Sequence, residues 1–139
     1  MGRVVAKVRL ANVIDVALAR QGAIRPEEVR RCEVDALADS GASLMCLPED
    51  IVDELGLERF SSQTATLATG ERRQLPIVGT ARIEIGARMV NQDCVVLPRG
   101  ARPLIGQLVL QEMDLVIDMK RERLVLGHPD EEFPVIDLL

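Results

Sequence analysis

The sequence predicts a mostly β chain with one or two short helices, on two observations. Apolar residues make up 47% of it, yet there is no Trp, no Tyr, and only Phe60 and Phe133 are aromatic. The core must therefore be built from Val, Ile, Leu, Ala and Met, and the β-branched share of that set favours strands, where a branched side chain packs well on a pleated surface. Several segments also alternate apolar and polar residues with a period of two, most cleanly Thr80-Ala81-Arg82-Ile83-Glu84-Ile85. At 139 residues the chain fits a single domain, residues 1–139, long enough to bury a core without disulfides or metal.

Each element follows from its own residues. Val4 to Leu10 and Val13 to Ala19 are expected as strands; in the second, Ile14, Val16 and Leu18 alternate with Asp15, Ala17 and Ala19. Gln21 to Glu28, with Gly22 and Pro26, is a loop. Val29 to Ala38 is a third strand with Cys32, Val34, Ala36 and Ala38 on one face, and it delivers Asp39 at its end. Ser43 to Leu47 is a short extended piece. A helix is expected over 48–55: Pro48 suits a first turn, Glu49 and Asp50 suit the positive end of the dipole, and Gly56 stops it. Ser62 to Thr69 and Gln74 to Ile85 form a hairpin with Thr69-Gly70-Glu71-Arg72 near its tip. Gly86-Ala87 turns the chain into Met89 to Leu97, and Pro98 to Pro103 is a loop. Leu104-Ile105-Gly106 opens a short helix, Gln107 to Met113. Leu115 to Met119 and Arg123 to Leu126 close a last hairpin, and the tail Glu131 to Leu139 ends apolar.

Composition excludes several classes. The net charge is −5, and no basic cluster is longer than a pair such as Arg30-Arg31. Nucleic-acid binding needs a positive face and stacking aromatics, so no nucleic-acid partner is expected. No apolar run approaches ~18 residues, so no membrane partner is expected. No charged region followed by an apolar one marks a secretory leader. Cys32, Cys46 and Cys94 are odd in number and lack a CxxC pairing, which points to reduced, buried thiols and a cytoplasmic protein. With those scattered cysteines and His128 as the single histidine, no metal and no cofactor are expected.

The one segment that looks like a site is Leu37-Ala38-Asp39-Ser40-Gly41-Ala42-Ser43. A carboxylate at the end of a buried strand is costly unless something uses or satisfies it. Ser40 brings a hydroxyl, and Gly41 lets backbone come close enough to place its N–H on the carboxylate. Asp-Ser-Gly is also an ordinary turn sequence. What separates the two is the order of parts: a strand leading into Asp39-Ser40-Gly41-Ala42, a short helix, a hairpin, then Leu104-Ile105-Gly106 opening a second helix. That order resembles the retropepsin-like aspartic proteases over about residues 29–126.

The resemblance implies a closed, barrel-like acid-protease fold and an aspartic endopeptidase acting on a peptide or protein substrate. Asp39 would be the catalytic residue, and Ser40, Gly41 and Ala42 the loop around it. Leu104, Ile105 and Gly106 would support that loop, and a flap of about Ala65 to Val78, with Ala68, Thr69, Gly70 and Glu71 at its tip, would cover the substrate. Aromatic residues near the tip, common in such proteins, are missing here. Hydrolysis by carboxylates needs two of them, one ionised and one protonated. The chain has one Asp-Ser-Gly; Asp15, Asp35, Asp93, Asp114, Asp118 and Asp137 lack that setting and are expected to be solvated or turn residues. The second carboxylate must then come from another copy, and a two-fold homodimer sets Asp39 opposite itself. Two other functions fit the same residues: a catalytically weak or inactive dimerisation or peptide-binding module of this fold, and a small β-rich structural domain in which Asp39 only caps a turn.

Overall fold

The computed structural model describes residues 3–138; Met1, Gly2 and Leu139, the extreme ends of the expected domain and tail, lie outside them. The chain runs through β1 (Val5–Asn12), α1 (Val13–Arg20), β2 (Arg31–Ala38), β3 (Met45–Pro48), α2 (Glu49–Leu55), β4 (Glu58–Thr66), β5 (Arg72–Ile85), β6 (Arg88–Leu97), β7 (Leu104–Ile105), α3 (Gln107–Met113), β8 (Leu115–Asp118) and β9 (Arg123–Leu126). The described residues are mostly β, as expected, with three α-helices among them rather than one or two.

Seven strands form one sheet in the order β1-β2-β7-β3-β6-β5-β4, and β1 also pairs with β5. That extra pairing, Arg9 to Asn12 against Ala81 to Glu84, closes six strands into a barrel and leaves β4 outside as one arm of a hairpin with β5. Parallel pairings of β2 with β7 and of β3 with β6 bring distant parts of the chain together; the other pairings are antiparallel. Strands β8 and β9 make a separate two-stranded sheet.

Alternation along the strands sorts the apolar side chains into two clusters. Val8, Leu10, Ala36, Met45, Leu47, Ile83, Cys94, Val96 and Ile105 point into the barrel and pack with Val52 and Leu55 of α2 and Val109, Leu110 and Met113 of α3. The residues between them on β3 and β6, Cys46 and Val95, point the other way and join Ile77, Leu44, Leu75, Leu97 and Leu104 in a smaller cluster. Strand β3 is buried at all four positions because both its faces are covered.

The expected strand Val13 to Ala19 is instead helix α1. Its start is fixed by Asn12, whose side-chain Oδ1 accepts the Asp15 N–H at 3.1 Å and whose Nδ2 donates to the Leu55 carbonyl at 2.9 Å. A side-chain cap of this kind contributes about 1 kcal/mol. Asp15 is then 6% exposed, not solvated. It accepts bonds from the Arg30 backbone N–H at 3.0 Å, Nε at 2.8 Å and Nη2 at 3.0 Å. Arg30's side-chain bonds hold the Asp15 carboxyl below its ordinary range, against the burial that raises it. Asp93 and Asp114 are likewise engaged: Asp93 accepts the Thr80 hydroxyl, and Asp114 bonds His128 and the Val135 N–H.

Smaller differences concern edges. A 3₁₀ turn over Pro26–Glu28 interrupts the expected loop, and Leu104-Ile105, which lead into the expected helix Gln107–Met113, form the short strand β7. Helix α2 matches its expected place, with Pro48 at the N-cap and Gly56 at φ 64° closing it. No helix among the described residues is long and apolar enough to cross a membrane.

Candidate active site

Strand β2 runs inside the sheet between β1 and β7 and ends at Ala38, so the next residue, Asp39, leaves the barrel at a fixed point. Its own N–H donates to the Ile105 carbonyl at 2.9 Å, which continues the β2–β7 ladder by one residue. The chain then turns back. Ala42 N–H donates to the Asp39 carbonyl at 3.1 Å, and Gly41 N–H donates to Asp39 Oδ1 at 2.9 Å. A Cβ on Gly41 would stand 3.1 Å from that same oxygen. Glycine therefore allows the amide to approach the carboxylate without crowding it. Ser40 is exposed on the outside of the loop.

The loop is held from below by α3. The first amides of a helix have no partner within it. Here Gln107 N–H donates to the Ala42 carbonyl at 2.7 Å and Leu108 N–H to the Ser43 carbonyl at 3.0 Å. Gly106 sits where a Cβ would collide with the carbonyls of Leu44 and Ser43. Leu104, Ile105 and Gly106 thus meet the Asp39 loop by ladder, by packing and by close backbone contact.

Opposite the loop, the β4–β5 hairpin overhangs a cavity of about 590 Å³. Asp39, Gly41 and Ala42 line one side, Gln63 to Ala68 the roof, and Leu75, Val95, Leu97 and Leu104 an aliphatic wall. Among the described residues lining it, Asp39 is the one charged side chain. Of the expected tip residues, Ala68 reaches the cavity; Thr69, Gly70 and Glu71 form the turn beyond it, closed by bonds between Leu67 and Glu71 and between Gly70 and Leu67. Ala65 to Ala68 and Leu75 fall within the expected flap and Leu104 within the expected support, whereas Cys46, Val95 and Leu97 were not singled out in the sequence as wall residues. Their signal was there in the unbroken apolar runs Met45-Cys46-Leu47 and Cys94-Val95-Val96-Leu97, which mark strands buried on both faces.

Cys46 also lines the cavity, but burial and the nearby Asp39 charge push its thiol up to about 11. It is therefore a protonated wall residue at neutral pH, not a nucleophile. All three cysteines are free, and His128 is bound to Asp114 rather than near Cys46's cavity. No group of three or more His, Cys, Asp or Glu among the described residues is placed to hold a metal.

The stretch of chain that carries this single carboxylate, its glycine-bearing turn and the hairpin above it matches a known family. Residues 28–112 fit the family described as "gag-polyprotein putative aspartyl protease". The chain belongs to this aspartyl protease family. The matched span of the protease domain takes in β2, the Asp39 loop, the hairpin and nearly all of α3, so it contains every part of the site described above. The first strand, α1 and the β8–β9 hairpin lie outside it. No curated protein matches the chain.

Proposed function

We propose that the chain is an aspartic endopeptidase that works as a homodimer, with one Asp39 from each copy. What carries this reading is that Asp39 is the sole carboxylate on the cavity, set on its loop by the Gly41 N–H and left facing open space. A single carboxylate cannot act as base and acid together. Two copies related by a two-fold axis through the loop bring both groups to one water.

At that separation the two carboxyls share a proton, because two like charges about 3 Å apart cannot both persist. The ionised one takes a proton from the water as its oxygen bonds to the scissile carbonyl carbon. The protonated one gives its proton to the carbonyl oxygen. The tetrahedral diol then collapses: the protonated carboxyl gives its proton to the nitrogen as the C–N bond breaks, and the carboxylate takes one from a diol hydroxyl as a C=O forms, so the pair again holds one proton. Ser40, exposed at the outer side of the loop, would bond across the axis and fix one loop on the other. The hairpin would serve as the flap, closing over the peptide and excluding water. The aliphatic wall favours apolar side chains beside the cut.

The test is to follow cleavage rate and molecular mass on one dilution series, with wild type and Asp39→Asn. Cleavage should fall as dimers dissociate. Asp39→Asn should remain dimeric and inactive, since the amide keeps the shape and removes the like-charge repulsion. An active monomer, or an Asp39→Asn protein that cleaves, rules the reading out.

A further inference from the structure

The barrel's outer wall carries a second cavity, remote from Asp39. On β1 the outward residues are Lys7, Arg9 and Ala11; the register sets Arg9 and Ala11 each between outward residues of β2 and β5, and Lys7 beside β2 alone. Arg9 lies between Glu33 and Glu84, and it donates from Nε and Nη2 to Glu84 at 3.2 and 3.1 Å. Lys7 lies beside Asp35 and 3.9 Å from Glu33. In these two rows acids alternate with bases. The next row breaks the rule: Arg31 of β2, Ala11 of β1 and Arg82 of β5 stand side by side. Where charge alternation would place an acid there is a methyl group.

Residues directly opposite across a sheet point to the same face. Arg31 and Arg82 therefore flank one spot, about 10 Å apart at their Cα atoms, two strand spacings. The last residue of α1, Arg20, lines the same cavity of about 350 Å³. Arg9, Arg25, Arg30, Arg73, Arg99 and Arg121 all have a carboxylate partner. Arg20, Arg31 and Arg82 have none, as is also true among the described residues of Arg3, Arg59, Arg72, Arg88, Arg102 and Arg123; what sets these three apart is that they line one cavity, and that the buried Nε of Arg82 has no hydrogen-bond partner. The one acid on the cavity, Glu84, is already engaged by Arg9. Three uncompensated guanidiniums around a concave spot are unexpected in a chain of net charge −5.

We propose that this cavity binds a small phosphate monoester, its phosphate over Ala11 between Arg31 and Arg82 and its apolar body against Val16 and Val29. Guanidinium forks match oxyanions in pairs of parallel bonds. Three forks exceed what one carboxylate's two oxygens accept, whereas a phosphate monoester presents three terminal oxygens and close to two negative charges. The ester balances the three arginines to about one residual charge.

The site is separable from the protease chemistry. Arg31 begins the strand that Asp39 follows, roughly 26 Å away along it at strand rise. The experiment is calorimetric titration of the full chain with inorganic phosphate, phenyl phosphate and succinate. We expect saturable one-to-one binding of phosphate, tighter for phenyl phosphate, and at least tenfold weaker for succinate. Arg31→Gln/Arg82→Gln should weaken phosphate at least tenfold. Arg20→Gln, on an exposed helix end, should weaken it about threefold and serves should the double variant not fold. Ala11→Glu should abolish binding and raise Tm, since it supplies the missing acid from within. Asp39→Asn should bind phosphate unchanged, whatever becomes of cleavage. No saturable phosphate binding, equal binding by the arginine variants, or succinate binding as tightly as phosphate would each overturn the proposal.

Discussion

Gly106 matters for the side chain it lacks. A Cβ there would run into the carbonyls of Leu44 and Ser43, which are backbone and cannot swing aside. Gly106→Ala must push α3 away from the Asp39 loop and stretch the bonds from Gln107 and Leu108 that hold it. Overpacking of this kind costs about 1–3 kcal/mol, so the urea midpoint should fall, and any cleavage should fall further because the loop shifts with it. A midpoint equal to wild type would show that the contact is not confining. Asp15 gives a second residue-level expectation. Its carboxyl titrates below the unfolded value of 3.8 because Arg30 donates to it. A depressed carboxyl stabilises the fold above the unfolded pKa, and that contribution is lost as the pH falls through the folded one. Asp15→Asn should therefore be less stable than wild type at pH 7, and the gap should close below about pH 4 in urea melts across pH. A gap independent of pH would mean that charge plays no part. Asp39 was legible in the sequence because its setting is local: strand, hydroxyl and glycine are adjacent. Asp15 was not, because Ile14, Val16 and Leu18 satisfy a period of two as well as one turn of helix, and its deciding partner, Arg30, lies well along the chain.

Among the strands of the seven-stranded sheet, β4 is the one with a single neighbour. Every β4 residue is exposed except Ala65, which is half-buried, and the turn from Leu67 to Glu71 holds itself with two bonds of its own. Its outer amides should exchange with solvent much faster than those of β2, which is paired on both sides. Hydrogen-exchange mass spectrometry on peptides covering 62–73 and 31–38 checks this; equal protection would remove the flap role. The tail is restrained differently. Asp114, at φ 55° where α3 ends, takes the Val135 N–H and His128 on one oxygen, while Phe133 and Ile136 stay exposed. Asp114→Ala should free residues 128–137 and raise their exchange without touching β2. Elements with strong punctuation, such as α2 between Pro48 and Gly56, were legible in the residues. Strand β7 was not: two residues carry no periodicity, and what makes them a strand is the pairing of Leu104 with Leu37 and Cys46. The hairpin's flap role was read from the resemblance, but the meeting of Cys46, Val95 and Leu97 on one wall was hidden for the same reason, since that wall exists only once β3, β5 and β6 are side by side.

For the molecule as a whole, the proposed shared site makes activity a property of pairs. Mixed in equal amounts and allowed to exchange, wild-type and Asp39→Asn chains should pair at random, so about one quarter of dimers keep both carboxylates. Cleavage at constant total protein should then drop to about one quarter of the wild-type rate, against about one half if each chain acted alone. Barrel closure has a bearing on synthesis as well. Asp39 is made early, but its N–H waits for the carbonyl of Ile105, and its loop waits for the amides of Gln107 and Leu108. On a ribosome Asp39 therefore emerges long before anything can shape its loop. A nascent or prematurely ended chain holds the carboxylate without the geometry, and the proposed hydrolytic centre is withheld until Ile105 to Leu108 have cleared the exit tunnel.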